Sequence, residues 1–263
     1  MRPTLRFRLD RLIQHLAFMR LTRIYVEQAL AVGTQITLAD GAAHHLRQVL
    51  RLRDGNPVVL FDGRGRDYSG QLFLEGRNGV SVEISTCTDE EPLTPLNISI
   101  GLGISRGERM DFAIQKSVEL GVAAITPLVT DHCAARSSGV RNQKRWDHWK
   151  RVVISACEQS GRRRVPVLGK VVNLQDWAAL SDGVTGILLD PDALDTLDRL
   201  PHPGRQIRLL SGPEGGLSKR EQDLALAHGF TSVRLGPRIL RTETSPLAAI
   251  AAVQMLWGDF RSS

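Results

Sequence analysis

From Asn97 onward, short apolar runs alternate with helical stretches, and this alternation constrains the fold more than any other feature of the chain. Ile98–Ile104 is strand-like, Met110–Leu120 reads as a helix with Gly121 placed to end it, and Val122–Val129 is apolar again. Lys144–Gln159 sets Trp146, Trp149, Val153 and Ala156/Cys157 at helical spacing. Two compact apolar runs follow, Gly186–Leu189 and Ile207–Leu210. Ser218-Lys-Arg-Glu221 is a capping box, in which each side chain satisfies the other residue's backbone N–H, and the helix it opens stops at Gly229. Ser232–Leu235 is a further strand. Ser245-Pro246 then predicts an N-cap with Pro at the first helical position, opening an Ala-rich helix that ends at Gly258. Repeated β-α units of this kind require a parallel sheet covered by helices on both faces.

The segment before Asn97 has a different grammar. Gln35–Leu38, Pro57–Phe61, Gly70–Leu74 and Val80–Ile84 are short β-like runs separated by Gly, Asn and Asp, which predicts a small barrel. One helical stretch interrupts them. In His44-His-Leu-Arg-Gln-Val-Leu-Arg, the spacing of Leu46, Val49 and Leu50 predicts one buried stripe. Thr88-Asp-Glu-Glu-Pro-Leu-Thr-Pro is acidic and broken by two prolines, so it reads as the linker, over 87–96. Residues 1–18 are Arg-rich but lack the apolar core of a secretory signal; Met19 is expected to be the physiological start, or 1–18 a poorly ordered extension.

Composition excludes several classes. With 263 residues, 42% of them hydrophobic, the chain has enough apolar content for a folded core of one or two domains. It has no unbroken apolar run long enough to span a bilayer. Its three cysteines, Cys87, Cys133 and Cys157, form no C-x-x-C, which argues against zinc or a disulfide framework and for a reducing compartment. The net charge of +6 is unevenly placed. Arg136–Arg164 carries nine basic residues against Asp147 and Glu158, hence 9 − 2 = +7, the footprint of a phosphate-backbone binder or of a solvated helix face.

In open α/β sheets ligands sit outside the carboxyl ends of the strands. Three segments fall there: Asp190-Pro191 after Leu189, Gly212-Pro-Glu-Gly-Gly216, and Gly236-Pro-Arg-Ile-Leu-Arg-Thr-Glu-Thr244. None matches a P-loop or a dinucleotide fingerprint. Their glycines permit close backbone approach, and two Gly-Pro loops that each feed a helix suggest an adenosine-sized pocket. An ordinary glycine turn and a surface loop with a local salt bridge are the competing readings.

Together with Lys116-Ser-Val-Glu-Leu-Gly, Lys144-Arg-Trp, Ala156-Cys-Glu-Gln-Ser-Gly-Arg, His45-Leu-Arg-Gln-Val-Leu-Arg and Phe61-Asp-Gly, these loops resemble the signature blocks of the RsmE family. That family comprises the bacterial 16S rRNA (uracil-N3)-methyltransferases of the SPOUT superfamily. The resemblance covers Met19 to about Asp259; Ser245 stands where the pattern has Ala. It implies an α/β fold: a PUA-like RNA-binding β-barrel over 19–86 and, over 97–263, a SPOUT methyltransferase domain with a deep trefoil knot. It also implies a homodimer in the cytoplasm, without metal, acting on the uridine at position 1498 in the small ribosomal subunit. S-adenosylmethionine would contact Leu189, Gly212, Pro213, Glu214, Gly216, Leu235, Gly236, Ile239 and Leu240. Methylating uracil N3 requires loss of its proton, with charge developing on O2 and O4. Arg241, a permanent cation, suits that charge; Glu243 is either the proton acceptor or a partner holding Arg241. Lys144, Arg145, Arg162, Arg163 and Arg164 would meet RNA phosphates. A SPOUT enzyme acting on another RNA atom, such as tRNA ribose 2′-O, and a non-catalytic ribosome-assembly factor are the alternatives.

Overall fold

The computed structural model describes residues 21–133, 139–180 and 183–261. The expectation for residues 1–18 lies outside them. The chain divides into two compact units. The first holds the chain up to Pro92 together with Cys157–Arg164; the second holds Leu93–Ala156 and the chain from Val165.

The first unit is a five-stranded mixed sheet. Its strands are β1 (Thr22–Tyr25), β2 (Gln35–Thr37), β3 (Pro57–Phe61), β4 (Tyr68–Glu75) and β5 (Gly79–Cys87), in the order β1-β3-β4-β5-β2. Only the β1–β3 ladder is parallel. Alternate residues feed one core: Ile24, Val58, Leu60, Leu72, Val80, Val82 and Ile84, each nearly or fully buried. Burying an aliphatic side chain of this size contributes about 1.5–3 kcal/mol. At Gly70 the register shifts, and a Cβ there would stand 2.3 Å from the Glu83 carbonyl oxygen, so only glycine fits.

The helical stretch does not bury the stripe that its spacing predicts. After α1 (Asp40–His44) the chain widens into a π turn over His45–Val49, with Leu50 N–H donating to the His45 carbonyl, five residues back. The wider turn rotates the following side chains relative to Leu46. Leu46 is 1% exposed and lies in the core, whereas Val49 is 60% and Leu50 40% exposed.

Arginines knit this unit together. Arg23 reaches Asp67 at 2.5 Å, donates to the Arg162 carbonyl oxygen at 3.1 Å and lies over the Phe61 ring at 4.7 Å. Arg163 is 3.5 Å from the same Asp67 oxygen and donates to Thr88 and to the Asp89 carbonyl. Arg164 pairs with Glu90, and its guanidinium lies where a Cβ on Gly65 (φ +106°) would collide. The acidic segment read as a linker thus folds onto this unit through Thr88, Asp89, Glu90 and Glu91.

The second unit carries an eight-stranded sheet in which every ladder is parallel. The strands are β6 (Asn97–Gly103), β7 (Ala124–Val129), β8 (Val167–Leu168), β9 (Val172–Asn173), β10 (Thr185–Leu189), β11 (Asp195–Thr196), β12 (Gln206–Ser211) and β13 (Phe230–Arg234). Their order is β11-β13-β10-β12-β6-β7-β8, with β9 also on β7. Central strands buried on both faces explain the unbroken apolar runs, such as Ile187-Leu188 and Leu209-Leu210. The helices are α2 (Glu108–Glu119), α3 (Gly139–Ser160), α4 (Leu174–Ala178), α5 (Lys219–Ala227) and α6 (Thr244–Trp257). Helix α2 buries Met110, Ala113, Ile114, Ser117 and Val118 and ends at Gly121 (φ +90°), where the Gln254 amide donates to the Leu120 carbonyl. The Ser218–Glu221 capping box forms as the sequence indicates. Ser245 is not the N-cap of the last helix. Thr244 and Ser245 N–H groups both donate to the Arg241 carbonyl, which starts the turn earlier and moves the cap to Glu243. Pro246 is tolerated one turn in, where its missing N–H has no intrahelical partner to lose.

Asp67 is 3% exposed and faces two guanidiniums, and the Arg23 side chain is 8% exposed. Removing the anion strands buried positive charge. Asp67→Ala is expected to lower stability by about 3 kcal/mol, read as a shifted urea midpoint in circular dichroism; an unshifted midpoint contradicts this account of the arginine cluster.

Candidate active site

The three turns read from the sequence emerge side by side, because β13, β10 and β12 are consecutive strands of the parallel sheet. Between them lies a cavity of about 560 Å³. Leu189 and Asp190 line it from the end of β10. Gly212, Pro213, Glu214 and Gly216 line it from the loop after β12, and Ile239, Leu240, Arg241 and Glu243 from the loop after β13. Leu235 and Gly236 lie just past β13, outside that lining.

Each turn is fixed by local chemistry. Gly216 (φ +69°) donates its N–H to the Pro213 carbonyl at 2.9 Å, closing the loop over Glu214 and Gly215. A Cβ at Gly212 would stand 3.0 Å from the backbone of Gly216 and Leu217. Asp190 accepts the Asp192 N–H on one carboxylate oxygen and the Ser232 hydroxyl on the other, both at 3.0 Å. Thr242 donates its hydroxyl to the Gly212 carbonyl at 2.9 Å, which ties the β13 loop to the β12 loop.

A fourth wall carries no site motif in the sequence. The β6–α2 loop stands beside the β12 loop because β6 and β12 pair in register, Leu102 opposite Ser211. A Cβ on Gly103 would fall 2.6 Å from the Pro213 nitrogen. Ser105 donates its hydroxyl to the Gly103 carbonyl at 3.3 Å and lies 3.1 Å from the Thr242 hydroxyl. Glu214 accepts the Arg106 backbone N–H at 2.9 Å and meets the Arg109 guanidinium at 3.2 Å. Arg109 also lines the cavity. Burial alone would raise the Glu214 carboxyl, but the Arg106 N–H, its own N–H and Arg109 outweigh it, and the group titrates below its ordinary value. The two glycines flanking this loop, Gly103 and Gly107, were its only signal in the sequence.

Among the described residues neither Arg241 nor Glu243 forms an ion pair, and both line the cavity. Lys144 is exposed on α3 and Arg145 half-buried. Arg162 lends its carbonyl to Arg23, and Arg163 and Arg164 are committed to Asp67 and Glu90. None of these five is among the residues that line the cavity. Burial pushes the Cys157 thiol up to about 11, which keeps it protonated and unsuited as a nucleophile. Among the described residues no group of three His, Cys, Asp or Glu side chains is placed to hold a metal, and no helix is long and apolar enough to cross a membrane.

The comparisons with known proteins agree with this arrangement. A family model described as an RNA methyltransferase domain matches residues 92–254, and one described as an RNA methyltransferase PUA domain matches 38–85. The ribosomal RNA small subunit methyltransferase E of Buchnera aphidicola from Schizaphis graminum is 34% identical over 241 residues, covering 91% of this chain and 98% of the relative. The chain belongs to the RsmE family of RNA methyltransferases. The crystal structure of the corresponding Neisseria gonorrhoeae protein, bound to S-adenosylmethionine, shares 40% identity with a TM-score of 0.85 over 92% of this chain and all of that one. A Legionella pneumophila methyltransferase, solved with the same cofactor, shares 35% identity with a TM-score of 0.87, covering 91% of this chain and 99% of that chain. The cavity lies wholly within the stretch matched by the RNA methyltransferase domain.

A carboxylate with a depressed pKa favours the fold while it is charged, and this contribution fades as pH falls through its folded-state value. Glu214→Gln keeps an acceptor for the Arg106 N–H but loses the ion pair. The variant is expected to be less stable than the parent at pH 7, with the difference shrinking below the ordinary carboxylate value of 4.5. Urea midpoints at pH 7, 5 and 3.5 check it; a difference that does not change with pH contradicts the assigned charge state.

Proposed function

We propose that this protein transfers the methyl group of S-adenosylmethionine to N3 of the uridine at position 1498 of 16S rRNA, in the small ribosomal subunit. The observation that carries this reading is the single cavity into which the Leu189, Gly212–Gly216 and Ile239–Glu243 turns converge. Its volume of about 560 Å³ lies within the usual range for cofactor sites. The lining fits the group: glycine backbone able to approach closely, the apolar side chains of Leu189, Leu217 and Leu240 for an adenine face, and the carboxylates of Asp190, Asp192, Glu214 and Glu243 for its ribose hydroxyls and cationic sulfonium and amino groups. Leu235 and Gly236 are read as supporting the β13 loop at the same site.

When bound, S-adenosylmethionine supplies a methyl group on a sulfonium, already electrophilic. The protein's share is therefore alignment and charge. Uracil N3 becomes a nucleophile only once its proton has gone, and the negative charge then spreads to O2 and O4. Arg241, exposed and in no ion pair, is the cation for that charge; a guanidinium stays protonated throughout and cannot be the base. Glu243, two residues on and in the same lining, accepts the proton. Lys144 and Arg145 on α3 would meet RNA phosphates. Arg162, Arg163 and Arg164 belong to the same proposed surface, though Arg163 and Arg164 reach a phosphate only by leaving Asp67 and Glu90. The protein is read as a homodimer acting in the cytoplasm.

Arg241→Ala should lower kcat on unmodified small subunits by about 10²–10³, with the calorimetric affinity for S-adenosylmethionine little changed. Glu243→Gln should lower kcat by about 10² or more and remove the acid limb of its pH profile. Turnover retained in Arg241→Ala, or an unaltered profile in Glu243→Gln, removes that residue from the mechanism. Methylated nucleosides identified after digestion decide the target atom.

A further inference from the structure

The first unit has a surface that its own fold does not explain. Just past the π turn, Val49 and Leu50 are exposed apolar side chains, followed by exposed Arg51 and Arg53. Leu52, between the two arginines, is half-buried against the core, and its N–H donates to the Leu46 carbonyl, which anchors the elbow. Arg51 has φ +55°, the one non-glycine residue with a positive φ among those described. A left-handed conformation at an arginine costs the fold what a glycine would not. Among the described residues neither arginine forms an ion pair, in contrast to Arg23, Arg163 and Arg164 of the same unit. Arg47, nearby in sequence, is committed to the Gly76 and Gly79 carbonyls. A π turn, a left-handed arginine, two exposed apolar side chains and two arginines without an ion pair among the described residues thus coincide within the nine residues His45–Arg53. Strained backbone and π turns recur where function, not packing, sets the conformation.

We infer that the Val49–Arg53 elbow is where the small unit docks on RNA. Arg51 and Arg53 contact phosphates, and Val49 and Leu50 rest against a sugar or base face. Charge complementarity selects a polyanion, and the apolar pair between the π turn and the arginines supplies a part of the contact that salt does not screen. The inference rests on the proposed RNA substrate but concerns binding, not the reaction.

The test uses the full chain and three variants, Arg51→Gly, Arg53→Ala and Val49→Ser. Affinity for protein-free 16S rRNA and for small subunits lacking the modification is measured against salt, beside methylation kinetics, calorimetric S-adenosylmethionine affinity and Tm. Arg51→Gly relieves the backbone and removes the charge. It should keep or raise Tm while weakening RNA binding several-fold, raising KM, leaving kcat and cofactor affinity unchanged, and making the log–log salt slope shallower by about one unit. Arg53→Ala should flatten the slope by a similar step. Val49→Ser should weaken binding at every salt concentration without changing the slope. Parental slope and KM in both arginine variants overturn the inference. So does a lower Tm with unaltered RNA binding in Arg51→Gly, which marks Arg51 as structural. Weaker binding to subunits but not to protein-free rRNA also overturns it, and points to a ribosomal protein as the partner. Because RNA affinity is read directly, a parent protein that binds RNA through this elbow but methylates nothing refutes the proposed reaction and leaves the docking surface standing.

Discussion

The site depends on one steric constraint, the approach of the Gly103 backbone to Gly212-Pro213. Parallel pairing of β6 and β12 brings their carboxyl ends together, and the absence of a side chain on Gly103 lets the β12 loop fold across the end of β6. From that contact the other fixings follow in space. Glu214 is presented to the Arg106 N–H and to Arg109, and the Gly212 carbonyl faces the Thr242 hydroxyl. The β13 loop is thereby attached to a loop that is itself clamped. Arg241 and Glu243 flank Thr242 in sequence, so the hydrogen bond to Gly212 fixes the segment that carries both.

This explains which parts of the site the sequence displayed. Turns at the carboxyl ends of β12 and β13 carry their own signals in positive-φ glycines and Gly-Pro pairs, and the turn after β10 in Asp190-Pro191. Helix ends were equally legible: the Ser218–Glu221 box and Gly121 satisfy backbone groups a few residues away. The β6–α2 wall was not legible. Ser105, Arg106 and Arg109 matter through partners more than 100 residues distant, and nothing in their own neighbourhood announces it. Arg208 makes the same point inside the core. It sits in the middle of an apolar strand, where its guanidinium stacks 4.0 Å from the Trp177 ring and 5.4 Å from Phe230 and donates to the Trp177 carbonyl. Gly186 is small because the Phe230 ring occupies the place of its Cβ.

Two misreadings share a physical origin. Helical periodicity predicted a buried stripe of Leu46, Val49 and Leu50, but it assumes the ordinary turn. One hydrogen bond to the fifth residue back undoes that assumption for every later side chain. For Ser245, the residue type favoured a cap, yet the Arg241 carbonyl had already begun the turn. In both cases the choice between i→i+4 and its neighbours was made by the chain's wider path, not by local preference.

Charge shows the same dependence on context, and it decides which arginines are available. A run of +7 between Arg136 and Arg164 suggests one continuous phosphate-binding face when only sequence is considered. Folding separates its members. Arg163 faces the buried Asp67, so leaving it for a phosphate uncovers a buried charge, whereas Arg164 faces the exposed Glu90 and is the easier of the two to release. Arg241, Arg51 and Arg53 lie outside that run, and among the described residues none of them forms an ion pair. A positive charge that the fold has not neutralised is worth more to a polyanion than several it has. The proposed recognition surfaces therefore follow the arginines that have no ion-pair partner among the described residues, and not the density of basic residues along the chain.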